Sequence, residues 1–153
     1  MVETMEHIKH HLTDDILMGY SAGTLPEAFN LMVASHLSLC DTCRAQLESF
    51  DAVGGEVLDA GEVTQMDASS FAATMAMIAG GAPEEIKIKR AAGALPSPLQ
   101  DDVGGDLSAV KWKPIGLGVK QAILPTSKDA SARLLFIPAG AAMPDHGHKG
   151  CEM

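Results

Sequence analysis

A chain of 153 residues has room for one ordinary domain or two small ones. Its hydrophobic fraction is 46% but only 4% of residues are aromatic, which excludes a large aromatic core, and its formal net charge is −9. That charge is divided: residues 1–86 hold 14 acidic side chains against 2 basic ones (Lys9 and Arg44), whereas residues 87–153 hold 6 acidic and 9 basic. The acidic half would repel a phosphate backbone, so direct nucleic-acid binding by residues 1–86 is not expected. It would attract a basic protein surface instead. No run approaches the ~20 apolar residues that span a bilayer, and Met1 to His11 carries no apolar leader core, so no membrane partner is expected and the location is expected to be cytoplasmic. Three cysteines, two of them close together, read as metal ligands rather than a disulfide framework. Nine methionines are more than usual and suit a surface that repacks against a partner.

Residues 13–80 read as helical. Thr13 ahead of Asp14 and Asp15 has the form of an N-cap with acid in the first turn. Ile16, Leu17 and Tyr20 follow as an apolar stripe, with Gly23 as the stop. Thr24-x-x-Glu27 has the form of a capping box. The helix it opens carries Ala28, Leu31, Met32 and Ser35 on one face and ends near His36. A third helix is expected from about Asp41 to Gly54-Gly55, with Ala45, Leu47 and Phe50 packing, and residues 60–65 form a loop. A fourth helix runs from Asp67 or Ser69 to Gly80-Gly81. Its large apolar residues Phe71, Met75 and Ile78 lie on one stripe, which either packs on its own bundle or is offered to a partner. Residues 81–105, rich in Gly, Ala and Pro, read as a linker. Beyond it, residues 110–113, 118–124 and 132–137 are short strand-like runs.

The chemistry concentrates at His36-x3-Cys40-x2-Cys43. A structural zinc takes four thiolate and imidazole ligands in a tetrahedron. Cys40 and Cys43 straddle a helix start, where backbone N–H groups favour thiolates, and His36 ends the preceding helix. The competing readings are two small buried cysteines with an ordinary helix-end histidine, or a thioredoxin-like redox pair, for which the βαβ context is absent. The fourth ligand comes from upstream, and spacing does not choose among His7, His10 and His11.

These residues carry a resemblance. His10-His11-Leu12-Thr13-Asp14, Ala22 to Phe29, Ser35 to Arg44 and Asp51 to Gly55 resemble the ChrR-type zinc-binding anti-sigma factors, and Gly118 to Pro125 with Pro144 to Gly150 resembles the second domain of that family. The resemblance implies that His11 joins His36, Cys40 and Cys43 around Zn2+. It implies binding to an extracytoplasmic-function type sigma factor, whose access to RNA polymerase is occluded. The repressed transcription would be an oxidative, singlet-oxygen type stress response. In the family the fourth helix stands apart from the zinc bundle and grips the sigma factor, a use that fits Phe71, Met75 and Ile78.

A second cluster is His146-x-His148-x3-Glu152. Residues i and i+2 of a strand face the same way, and the cluster resembles the first metal motif of a cupin, a double-sheet jelly roll. It is a candidate for a second Zn2+ or another divalent metal. Roughly 45 strand-like residues cannot close a jelly roll of eight strands, so the expected fold class is α + β in three parts. Residues 1–80 form a zinc-stabilised helical bundle with an extra partner-binding helix, 81–105 a linker, and 106–153 the incomplete start of a cupin-like β domain. Such a chain is expected to keep inhibition and to lose or impair the oxidative response. It is not expected to be an enzyme. The alternatives are a cupin-type metalloenzyme with Fe or Mn on His146, His148 and Glu152, and a metal-sensing adaptor for another basic regulator.

Overall fold

The structure, a computed structural model, describes residues 8–81, 92–141 and 147. The described chain is α + β: five helices and a small antiparallel sheet.

Helix α1 (Asp14–Ser21) starts as the acidic first turn predicts. Thr13 takes the extended N-cap conformation and its carbonyl accepts from Ile16 N and Leu17 N at 3.1 and 3.0 Å, but its side chain makes no capping bond. The helix ends in a Schellman turn: Gly23 N donates to Tyr20 O at 3.1 Å and Thr24 N to Gly19 O at 2.9 Å. Gly23 sits at φ +66, where a side chain would be strained, so the predicted stop has a steric cause.

The expected capping box does not form. The Thr24 hydroxyl donates to Gly19 O at 3.2 Å and is held by the preceding turn. Pro26 occupies the N-cap instead, and α2 (Glu27–Leu37) begins one residue later. Nor is α2 buried on a single face. Ala28, Val33, Ser35 and Leu37 are all buried, because α2 packs against α1, α5 and α3 (Asp41–Asp59) together. The core is Leu17, Val33, Leu37, Cys40 and Cys43, ringed by Ile16, Tyr20, Met32, Leu47 and Phe50. Ala45, expected to pack, is exposed.

Helix α3 runs past the glycine pair to Asp59. Gly54 and Gly55 have nothing within 4 Å of where a Cβ would lie, and a solvated helix interior tolerates glycine at about 1 kcal/mol relative to alanine. Residues 51–69 are exposed throughout, and α4 (Ser70–Ala79) follows with no buried residue. Asp67 prepares its start, accepting from Ser69 N at 2.8 Å and Ser69 Oγ at 2.5 Å.

The stretch expected to be a linker carries a helix of its own, α5 (Ser97–Val103). Pro96 and Pro98 belong to its first turn, where a missing N–H costs nothing, and Gly104 ends it at φ +78. The prolines that read as breakers are therefore start signals.

The sheet has strand order β1-β2-β3, with β1 (Lys113–Gly116), β2 (Val119–Ile123) and β3 (Arg133–Phe136) all antiparallel. Leu117 and Gly118, at φ +50 and +77, form the tight turn between β1 and β2. The first strand lies later than the run 110–113: Val110 is buried, and its carbonyl accepts from Trp112 N at 3.0 Å. Pro114 is accommodated because β1 is an edge strand.

Candidate metal centre and exposed helix

Three segments deliver four ligand-type side chains to one point. His11 lies in the chain ahead of α1, and its neighbour Leu12 packs against the core. His36 is in the last turn of α2, Cys40 is the N-cap residue of α3, and Cys43 is in that helix's first turn. The short turn between α2 and α3 is fixed by Leu39 N and Cys40 N, which both donate to His36 O at 3.0 Å. Arg44 braces the same turn. Its guanidinium donates to Leu37 O at 2.5 Å and pairs with Asp41.

One ligand atom from each of His11, His36, Cys40 and Cys43 lies within 4.8 Å of all the others. His36 Nε2 is 3.2 Å from Cys43 Sγ, and His11 Nδ1 is 3.3 Å from Cys40 Sγ and 3.7 Å from Cys43 Sγ. A tetrahedral ion with bonds of about 2.3 Å to sulfur and about 2.0 Å to nitrogen sets its S···N edges near ~3.5 Å. The donor set and its spacing fit such an ion. Both sulfurs are buried, His36 is half-buried and His11 is exposed, so the site is closed by protein on the thiol side.

Burial also sets the protonation states. It pushes the His36 imidazole below its ordinary pKa, with the nearby charge of His11 as a lesser cause. The His36 imidazole is thus neutral at pH 7, the form in which it could ligate a metal. Burial pushes the Cys43 thiol up, only partly offset by its hydrogen bond with the Leu12 backbone. Of the other upstream candidates, His10 is exposed and outside the group, and His7 lies outside the described residues. His146, His148 and Glu152 also lie outside the described residues.

The second feature is α4. Phe71 is 75% exposed, Ile78 66% and Met75 47%, so the stripe does not pack on its own bundle. Sequence reasoning missed that further apolar side chains before and within α4 are exposed: Val53, Val57, Leu58, Val63, Met66 and Met77. The available signal was the placement of Val57, Leu58, Val63 and Met66 among the acidic residues Glu56, Asp59, Glu62 and Asp67 beyond Gly54-Gly55. No described helix is long and apolar enough to cross a membrane.

No protein-family model matches the chain. It is 48% identical over 146 residues to the anti-sigma-E factor ChrR of Cereibacter sphaeroides, an alignment covering 95% of this chain and 68% of that protein. Its structure is similar, with a TM-score of 0.78 and 47% identity, to a chain in the crystal structure of Rhodobacter sphaeroides SigE in complex with the anti-sigma ChrR. The match covers 94% of this chain and 77% of that one.

Proposed function

This chain belongs to the ChrR family of anti-sigma factors, and on that premise we propose how its metal centre and its exposed helix act together. It is an anti-sigma factor that binds an extracytoplasmic-function type sigma factor and keeps it from RNA polymerase by occlusion. Its action is stoichiometric, not catalytic. The observation that carries the reading is α4, an apolar helix with no buried residue that follows the exposed half of α3. Exposed apolar side chains of this number on one helix, with none of its residues buried among the described ones, suit a protein-binding site. The acidic excess of residues 1–86 complements a partner that must itself carry basic surface to bind DNA.

Residues 1–80 act on this reading as the inhibitory domain. His11, His36, Cys40 and Cys43 would hold Zn2+, which when bound supplies a cross-link between the segment before α1, the end of α2 and the start of α3. The side chains already set the arrangement: Leu17, Val33 and Leu37 bury the apolar interior, and Arg44 closes the turn. Phe71, Met75 and Ile78 are the proposed partner contacts. Residues 81–105, α5 included, connect this domain to a cupin-like unit over residues 106–153. There His146, His148 and Glu152 are proposed ligands of a second divalent ion. The repressed genes belong, on this reading, to an oxidative, singlet-oxygen type response, and the chain acts in the cytoplasm.

The test is to co-express the chain with the extracytoplasmic-function type sigma factor of its host and measure the affinity of the purified pair. Phe71→Asp with Ile78→Asp should leave the helical signal and thermal unfolding unchanged, because both side chains are exposed. It should weaken the complex by about a hundredfold or more, since a charge must then be buried in an apolar contact. Unchanged affinity would remove α4 from the interface, and no complex with the unsubstituted chain would end the anti-sigma reading.

A further inference from the structure

The chain holds nine methionines, and one of those described, Met18 of α1, is half-exposed and lies outside both groups that follow. Met32 packs against the core of the bundle. Met66, Met75 and Met77 lie just before or within α4 and are exposed, Met66 and Met77 by more than three-quarters. We propose that Met75 and Met77, with Met66 upstream, form an oxidant-reactive patch on the docking helix, where a hydroperoxide converts thioethers to sulfoxides and thereby blocks partner binding. This inference rests on the reading of α4 as the partner-binding helix.

The chemistry is self-contained once the oxidant is named. A sulfur lone pair attacks one peroxide oxygen, the O–O bond breaks, an S–O bond forms, and the other oxygen leaves as water or alcohol. Sulfur is oxidised by two electrons and the peroxide is reduced by two. The product replaces a flexible apolar side chain with a polar, chiral one, and enzymatic reduction by a thiol donor reverses it.

Geometry decides where the damage falls. No residue of α4 is buried, so a sulfoxide there disturbs no packing within the chain. The same change at Met32 would enter the bundle core. At about 100° per residue, Met75 lies on the Phe71–Ile78 stripe and Met77 about a third of the way round the helix from it. A partner that holds α4 from either side must then bury a sulfoxide, and an apolar contact offers it no hydrogen bond. A bound partner covers these sulfurs, so the free chain is the substrate, and the modification prevents reassociation.

The experiment uses the full chain, zinc-loaded, treated with hydrogen peroxide and then with a thiol reductant to restore cysteines. Peptide mass spectrometry locates added oxygen, and affinity for the sigma factor and bound zinc are measured on the same sample. A second protein carries Met66→Leu, Met75→Leu and Met77→Leu. Each protein is compared with its own untreated sample, so any effect of substitution on binding cancels. Expected are sulfoxides at Met75 and Met77, protection of both by bound sigma factor, and about a ten- to hundredfold loss of affinity with zinc retained. The loss should disappear in the leucine protein and be reversed in the unsubstituted one by methionine sulfoxide reductases. An equal loss in the leucine protein, or a loss that tracks zinc release, overturns the proposal. So does full affinity with Met75 and Met77 oxidised. An untreated chain that does not bind the sigma factor overturns the docking reading and this inference with it.

Discussion

Four side chains meet at the candidate metal centre, and burial gives that point a definite proton balance. Zinc takes thiolate and neutral imidazole, so Cys43 must lose a proton on binding, whereas His36 is already neutral at pH 7. Because burial holds the Cys43 thiol above its ordinary value, its proton is still in place at pH 7 and competes with the metal. Zinc affinity should therefore fall as pH falls, by about tenfold per unit for the proton displaced from Cys43. Calorimetric titrations in two buffers of different ionisation enthalpy should count at least one proton released at pH 7. An affinity independent of pH would exclude Cys43 as a ligand. Most of this centre was legible because three of its members are local: a helix end, a short turn and a helix start fix His36, Cys40 and Cys43 relative to one another. Spacing left the fourth open among His7, His10 and His11, and the family resemblance alone pointed to His11. Leu12 packing on the core is what sets His11 Nδ1 3.3 Å from Cys40 Sγ.

Among the elements, helix ends governed by a steric need were the legible ones. Gly23 at φ +66 ends α1 where expected, and Asp67 prepares α4. Ends that depend on competition were not. Thr24 could cap the next helix or bond back to the last one, and the finished Schellman turn takes it. The burial of α2 on several sides was likewise hidden, because its second cover is α5, a helix that the prolines disguised. Gly54-Gly55 read as a stop but lies inside α3, where solvent surrounds it. That position supports a prediction: Gly54→Ala and Gly55→Ala should each stabilise the far half of α3 by about 1 kcal/mol, with nothing to clash against. Amide exchange over residues 51–59 should slow accordingly while exchange near Leu17 and Val33 is unchanged. Faster exchange in the substituted helix would show that the glycines meet a packing need.

At the scale of the whole molecule, the bundle and the sheet touch through α2. Helix α5 packs on it, and Ser127 N in the loop before β3 donates to Glu27 Oε2 at 2.6 Å, across 100 residues of sequence. Asp102 of α5 lies close enough to feel Glu27, and burial first and that charge second raise its pKa. Val110, Val119, Ala122 and Leu124 are buried outside the cluster around Leu17 and Val33, and their independence from it can be read out. The chain has one tryptophan, Trp112, whose ring meets Phe136 edge-on at 6.2 Å in the sheet. A chelator should therefore reduce the far-ultraviolet helical signal, since metal-binding energy in so small a bundle is folding energy. Trp112 emission should change little. Loss of both together would mean that the halves unfold as one unit, and loss of neither would exclude a structural ion. The exposed half of α3 has a mechanical consequence as well. Residues 51–59 extend the helix by roughly 13 Å at 1.5 Å per residue, with two glycines near the root of that extension. The extension works as a boom: its length carries the start of the segment leading to α4 clear of the bundle that holds His11, His36, Cys40 and Cys43.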